Sequence, residues 1–469
     1  MKKNAFFWSL AGATVLLALI FSCHKTTTTE ASAATITALS CSSAVYSSTA
    51  TVNTAYTGTV TVPYSGGNGG SYSAGSAISS TGVTGLTATL AAGTLASGSG
   101  SLTYNVTGTP AAAGAASFAI SFGGQDCSIS LTVDSTATTT SACTTTSGVA
   151  NVVCLANAFL ATLTSTQKST VVIDLTLTNA KRWSNLPCGV SCRNGLAFSG
   201  LSATQLAAAK AVIKAAAGTT SGEGWDEFST INTADDYLGT MASGYSSGNY
   251  IIAFLGTPST TGKWMLQYGG HHYAANITYD NGSVTSITPS HQGVEPHGSF
   301  TYNGTTYASP LATEASVMSD MLASFTSSEL STAKITGTFS DVLMVPGSTT
   351  NTFPTTKQGI KVSSLSATAQ AKVLAAMMPW IEDYDSSSVA AFTAIYSGEL
   401  ADTYVCYASN TSGTSGNSGS FFTTNTDYVR IDGPSVWIEF ICQTGVVIQS
   451  QIHYHTVYRD HNRDYIGLN

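Results

Sequence analysis

Hydrophobic and polar positions change rhythm about a third of the way along the chain. Between residues 35 and 134, apolar residues alternate with Ser, Thr and Gly, as in Thr57-Gly-Thr-Val-Thr-Val62 and Ser117-Phe-Ala-Ile-Ser-Phe122. A period of two predicts strands with one buried face, and stretches such as Gly66-Gly-Asn-Gly-Gly70 predict the turns between them. Short strands over about 100 residues suit a β-sandwich.

After residue 143 the pattern mixes helices with strands. Thr164-Ser-Thr-Gln167, Ser202-Ala-Thr-Gln205 and Thr326-Ser-Ser-Glu329 each set a hydroxyl three residues ahead of Gln or Glu. This is a capping box, whose two side chains reciprocally satisfy free backbone N–H groups at a helix start. Three helices are predicted to begin there. Ser366 opens a fourth over Ala367 to Met378, although Ala369 breaks the box. The second is expected to run from Gln205 to Ala217 and to stop at Gly218 in a left-handed cap. Strands are predicted at 250–255, 263–268, 273–279 and 284–288, the last two joined through Asp280-Asn-Gly-Ser283, and at 436–442 and 446–459 across Gln443-Thr-Gly445. The economical fold class is α+β: an antiparallel sheet with packed helices in the C-terminal domain, preceded by an all-β sandwich.

Charge locates the boundary between the two. Only 9% of the 469 residues are charged, against about 25% in an ordinary soluble domain, so the surface is expected to be neutral and polar. Residues 1–150 carry six charges and the remainder 36. The predicted organisation is a signal at 1–22, a Thr-rich tether at 23–34, the sandwich at 35–134, a linker at 135–142 and the α+β domain at 143–469. A net charge of -8 excludes nucleic acid as a partner.

Lys2 and Lys3, the apolar run from Ala5 to Phe21, and Ser22 have the order of a secretory signal. With Ile20-Phe21-Ser22 before it, Cys23 sits in a segment that resembles a bacterial lipobox, which implies lipidation of Cys23 and membrane contact through that lipid only. The expected address is the envelope of a Gram-negative-type bacterium, facing the periplasm or the cell surface. The eight remaining cysteines, an even number in an oxidising compartment, predict disulfides. In falling order of expectation the pairs are Cys41 with Cys127, Cys406 with Cys442, Cys188 with Cys192, and Cys143 with Cys154. Cys188 and Cys192 read as a local staple rather than half a metal site.

Seven of the eight histidines lie between residues 271 and 461. On a strand, His453 and His455 share a face about 6.5 to 7 Å apart, together with Gln451 and Arg459. Two imidazoles so placed can chelate one transition metal, zinc foremost, with a third ligand from elsewhere. His271 and His272 point to opposite faces if extended, so one of them is expected to join. Glu295 and Glu439 are candidates for ligand or general base, and Arg459 for orienting an anionic or carbonyl-bearing substrate. His291 and His297 read as loop residues outside the metal set. Gly244-Tyr-Ser-Ser-Gly248 matches the nucleophile-elbow pattern, but a strand rather than a helix follows it, so a serine hydrolase is set aside. The leading hypothesis is a metal-dependent hydrolase. Its rival is a non-catalytic surface binding protein, gripping a small molecule, glycan or peptide through Trp264, Tyr268, Tyr273 and Trp437 on a sandwich stalk.

Two further resemblances follow from particular segments. Gly82-Val-Thr-Gly-Leu-Thr-Ala-Thr-Leu-Ala-Ala-Gly-Thr-Leu and Gly108-Thr-Pro-Ala-Ala-Ala-Gly resemble the immunoglobulin-like repeats of bacterial surface proteins, which implies a spacer or adhesive module. Arg182-Trp-Ser-Asn-Leu-Pro187, Arg193-Asn-Gly195, Gly269-Gly-His-His272, Thr288-Pro-Ser-His-Gln-Gly-Val-Glu-Pro296, Asp432-Gly-Pro434 and His453-Tyr-His455 with Asp464-Tyr465, in that order, resemble the bacterial domain of unknown function 3500. That resemblance implies one domain over about residues 150–467 and carries no activity. In the family pattern Gly follows Asp-Tyr directly, whereas here Ile466 precedes Gly467. His291 and His297 are also particular to this chain.

Overall fold

The computed structural model describes residues 33–134, 143, 147–346, 352–408 and 421–468, so the signal, most of the tether and the 135–142 linker lie outside the described residues. The chain divides into two compact units: one within Met1–Ser48, Ala55–Thr109 and Ala115–Leu131, the other within Thr49–Thr54, Pro110–Gly114 and Thr132–Asn469.

The first unit is rich in β-structure. Its long strand Tyr56–Asn68 pairs with Ala38–Leu39, Val45–Tyr46 and Ser97–Gly108, and the last continues to Leu86–Leu90 and Ile78–Ser79. Val60, Val62, Leu102, Tyr104, Val106, Phe118 and Ile120 are buried at every second position, as the alternation requires. Cys41 is joined to Cys127, as expected.

In the second unit one sheet organises everything else. Its strands are β1 (Val172–Ile173), β2 (Leu196–Ala197), β3 (Ile251–Leu255), β4 (Trp264–Gly269), β5 (Tyr273–Asp280), β6 (Ser283–Ser286), β7 (Ser290–Val294), β8 (Ile360–Lys361), β9 (Tyr404–Ala408), β10 (Tyr428–Asp432), β11 (Val436–Thr444) and β12 (Ile452–Asp460). The order is β1-β3-β4-β5-β7-β12-β11-β10-β9-β8, with β2 on β3 and β6 on β5. Every pairing is antiparallel except β1 with β3. The helices pack on one face, where Phe159, Val212, Phe228, Met318, Trp380 and Tyr396 join Phe254, Leu266, Ile277 and Phe440 in the main core. This is the segregated α+β arrangement. Two smaller apolar clusters lie on the opposite face, one around Trp183, Leu255 and Met265, the other around Met344, Trp437 and Val457.

Local signals resolve as predicted. The three capping boxes open helices Ser165–Val171, Ala203–Ala216 and Ser327–Ala333, and Ser366 caps Ala367–Ala375 without a box. Gly218 has a different role from the one expected. It does not adopt the left-handed conformation; a Cβ there would lie 2.2 Å from the Glu382 carbonyl oxygen, so glycine permits a close backbone crossing. The turn after β11 is also longer than expected, spanning residues 445–451. The buried Glu295 carboxylate takes the N–H groups of Val447 and Ile448 and holds them out of the ladder.

Cys188 is bonded to Cys192 and Cys143 to Cys154. The expected Cys406–Cys442 pair is corrected: both are buried free thiols. Cys406 on β9 opposes Arg430 on β10, which opposes Glu439 on β11. Cys442 lies three residues beyond Glu439, hence on the other face of the sheet and two strands, about 10 Å, away. Among the described residues no helix is long and apolar enough to cross a membrane.

Candidate metal centre

The pleat of β12 sends His453, His455, Val457 and Arg459 to the face away from the helices. Register sets Gly293 of β7 opposite His455 and Gln443 of β11 opposite His453. A Cβ on Gly293 would stand 2.9 Å from His455 Cδ2, 3.2 Å from His272 Cδ2 and 2.8 Å from the Tyr454 carbonyl oxygen. The absent side chain therefore makes the space that the imidazoles occupy.

His271 and His272 enter from the turn joining β4 to β5. One of the two was expected to join; His272 lies with His453 and His455, whereas His271 lies with Asp235 and His272, and the backbone between them is not extended. His272 has φ +111°, a conformation that costs a non-glycine residue about 1–3 kcal/mol, and the two rings lie tilted by 30° with centroids 3.7 Å apart. Tyr250 donates its hydroxyl hydrogen to the His271 carbonyl at 2.6 Å, and His271 Nδ1 shares a 2.7 Å hydrogen bond with Asp235 Oδ1. Burial drives both partners of that pair toward their neutral forms, raising the Asp235 carboxyl and lowering the His271 imidazole.

His272, His453 and His455 can each offer a nitrogen such that the three lie within 4.8 Å of one another. The far side of two of these rings fixes which nitrogen is free. His453 Nδ1 lies 3.0 Å from the Thr444 carbonyl, which can only accept, so Nδ1 carries the hydrogen. His455 Nδ1 lies 3.0 Å from Asp341 Oδ1. Burial alone would raise the Asp341 carboxyl, but the hydrogen bond and charge of His455 outweigh it and hold it below the usual range, so it accepts. In the neutral rings both Nε2 atoms then present lone pairs, and they face each other at 3.3 Å. Burial, then the neighbouring His455, pushes the His453 imidazole down to about 3. The same forces push His291 down to about 3, and burial with its neighbour His271 lowers His272 well below the ordinary value. His272, His291 and His453 are therefore held in the neutral form that binds metal.

The remaining candidates sit elsewhere in the hydrogen-bond network. Glu295 is committed to the Val447 and Ile448 amides. Glu439 accepts from Leu343 N at 2.6 Å, Met344 N at 3.1 Å, Trp437 Nε1 at 2.7 Å and the Tyr428 hydroxyl at 2.8 Å. Arg459 donates to Asp464 at 2.5 Å and Arg463 to Asp460 at 3.0 Å, binding the C-terminal run to β12. Trp264, Tyr268, Tyr273 and Trp437 are at most 2% exposed and offer no aromatic surface to a ligand. Ser246 caps a short turn before β3, which places no nucleophile elbow there.

Sequence reasoning missed four contributors. His291 lies within a strand, its ring 5.1 Å from that of His455, and its Nε2 has no hydrogen-bond partner among the described residues. Asp235, Asp341 and Gly293 reach the cluster only through long-range packing, and no spacing in the chain announces them.

These features define an α+β domain whose sheet carries a buried polyhistidine cluster on the face opposite its main helical layer. The family described as "Protein of unknown function (DUF3500)" matches residues 145–467, and the chain belongs to it. No curated protein and no solved structure matches.

Proposed function

We propose that the C-terminal domain is a metal-dependent hydrolase holding one zinc ion on His272, His453 and His455. The observation that carries this is the pair of Nε2 lone pairs facing at 3.3 Å with both Nδ1 hydrogens committed outward. A cation between them removes the repulsion, and the carbonyl and carboxylate behind the rings are the outer partners that ligating histidines use. Three imidazole donors suit zinc and leave a fourth position for water or substrate, as in catalytic zinc sites. Bound zinc lowers the pKa of such a water to about 7 and polarises a carbonyl or phosphoryl oxygen. His271, anchored by Asp235 and in ring contact with His272, is the group placed to move a proton there.

Elemental analysis of untagged protein is expected to give about one zinc per chain. A protein that stays metal-free after dialysis against zinc overturns the centre. If zinc is bound, ester and phosphoester hydrolysis should disappear on chelation and return with zinc; a loaded protein that hydrolyses none of these substrates overturns the hydrolytic role alone. Gly293→Ala should weaken zinc by about 10–100-fold, the range for disturbing ligand orientation. A competition titration with a chromophoric chelator reads this, and an unchanged affinity would mean that the strand backbone does not set the rings.

We also propose that Cys23 is lipidated and that the first unit is an immunoglobulin-like stalk holding the domain off the envelope membrane. Three disulfides and the β-rich first unit support this reading. Cys23→Ser should abolish labelling of the chain by radioactive palmitate in growing cells, and labelling that persists would sink the anchor.

A further inference from the structure

Across the sheet from the histidines, buried carboxylates are left without donors. Glu227 and Glu314 occupy the third positions of helices Trp225–Gly239 and Ala312–Ala323, and Glu223 lies in the loop before the first. Oxygens from the three lie within 4.8 Å of one another. Asp383 adjoins them, its Oδ1 accepting the Gly224 N–H at 2.7 Å and its Oδ2 the Gln292 amide. Gln292 follows His291 on β7 and so faces the opposite way.

Among the described residues, Glu227 has no hydrogen-bond partner on either oxygen, and Glu223 and Glu314 have none on Oε2. Glu227 and Glu314 are each 1% exposed. None of the four carboxylates makes a salt bridge among the described residues. Glu223 approaches Glu314, and Glu227 approaches Asp383, within hydrogen-bonding reach, and carboxylates so close in a dry interior are costly unless something positive, a cation or a proton, joins them.

We infer that Glu223, Glu227 and Glu314 form a second metal site, for a hard divalent cation of which calcium is the best match, separate from the histidine centre. Oxygen-only donors select calcium, magnesium or manganese, whereas imidazoles select zinc, so the two faces of the sheet sort their metals. The spread of the ligand atoms fits one ion, since oxygens on opposite sides of calcium stand about 4.8 Å apart. Charge balance agrees. Two helix N-termini supply about half a positive charge each against the four carboxylates including Asp383, leaving about three negative charges, which a divalent ion and one retained proton cancel. Thr219 and Thr220, in the loop leading to Glu223, line two clefts beside that loop. The bound ion would fasten that loop and two helix ends into the sheet's helical layer.

Protons are the alternative occupants. Burial first, then repulsion among the carboxylates, pushes Glu223 up to about 7 and the Glu227 and Glu314 carboxyls well above their usual range. Terbium luminescence of the purified full chain separates the two. Tyr268 and Tyr273, which pack on Phe228 beside Glu227, are the rings placed to sensitise it. Terbium should saturate at about one ion per chain, be displaced by calcium, and calcium should raise the thermal midpoint relative to EGTA. The near-isosteric Glu227→Gln should lose about tenfold or more in affinity while keeping its circular dichroism. The His453→Ala, His455→Ala double variant should bind terbium normally, which keeps this test apart from that of the zinc centre. No luminescence and no calcium shift in the wild type would establish shared protons and overturn the site, as would unchanged binding in Glu227→Gln. If that variant does not fold, the calcium shift of the wild type, and its loss in Glu314→Gln, decide the matter.

Discussion

Replacing His453 and His455 together by alanine is expected to take bound zinc from about one ion per chain to background. The two residues supply two of the three ligand nitrogens, and the strand that carries them is held on both edges, by β7 and β11. The fold should survive, because β12 keeps its ladder and its apolar contacts with the main core through Tyr454 and Tyr458. Wild-type protein, in contrast, should lose stability on chelation: free zinc at a thousandfold over its dissociation constant is worth about 4 kcal/mol. Calorimetry with and without chelator reads this directly, and the double variant should show no such difference. Asp341→Asn supplies a graded control. It keeps the His455 hydrogen bond geometrically feasible but removes the charge behind it, and should cost about 10–100-fold in affinity. Zinc retained at full occupancy by the double variant would move the metal away from His272, His453 and His455 and end this assignment.

How far the sequence foretold this centre depends on the range over which each signal acts. A capping box is written within four residues, so Thr164, Ser202 and Thr326 each mark a helix start correctly. His453-Tyr-His455 is equally local: once β12 is a strand, alternation puts both rings on one face. His271 and His272 lie outside that logic, which presumed extended backbone: with a positive φ at His272, that ring sits beside His453 and His455 while His271 turns to Asp235. Cys406 and Cys442 fail for a different reason, since pairing them requires knowing that β10 runs between their strands and that their parities differ. β7 was hidden altogether. Ser290-His-Gln-Gly-Val294 is polar, contains glycine and is bounded by Pro289 and Pro296, so nothing in it reads as a strand; yet it is buried throughout. Its value lies in what both faces carry: His291 and Gly293 toward the imidazoles, Gln292 toward Asp383.

Glu439→Ala is expected to destabilise the domain by about 3–5 kcal/mol, the cost of removing a fully buried charge from a complete set of donors. The carboxylate is wholly inaccessible, and burial raises its pKa even against four donors. Removing it strands the Leu343 and Met344 amides, the Trp437 indole and the Tyr428 hydroxyl at once, and leaves Arg430, its cross-strand neighbour, without the nearby negative charge. Glu439→Gln keeps the volume but turns one oxygen into a donor facing two other donors, so it too should lose stability, by less than alanine. Urea unfolding of both variants measures the order, and a midpoint unchanged in Glu439→Ala would refute the role. The consequence reaches the metal centre. Leu343 and Met344 follow Asp341 by two and three residues, and Asp341 orients His455. Glu439 is therefore a positioning residue: it clamps the segment that presents Asp341 to the His455 ring. Glu439→Gln, folded at low temperature, should bind zinc more weakly than wild type and exchange the Leu343 and Met344 amide hydrogens faster. A purely structural carboxylate would alter the unfolding midpoint and leave the zinc affinity where it was.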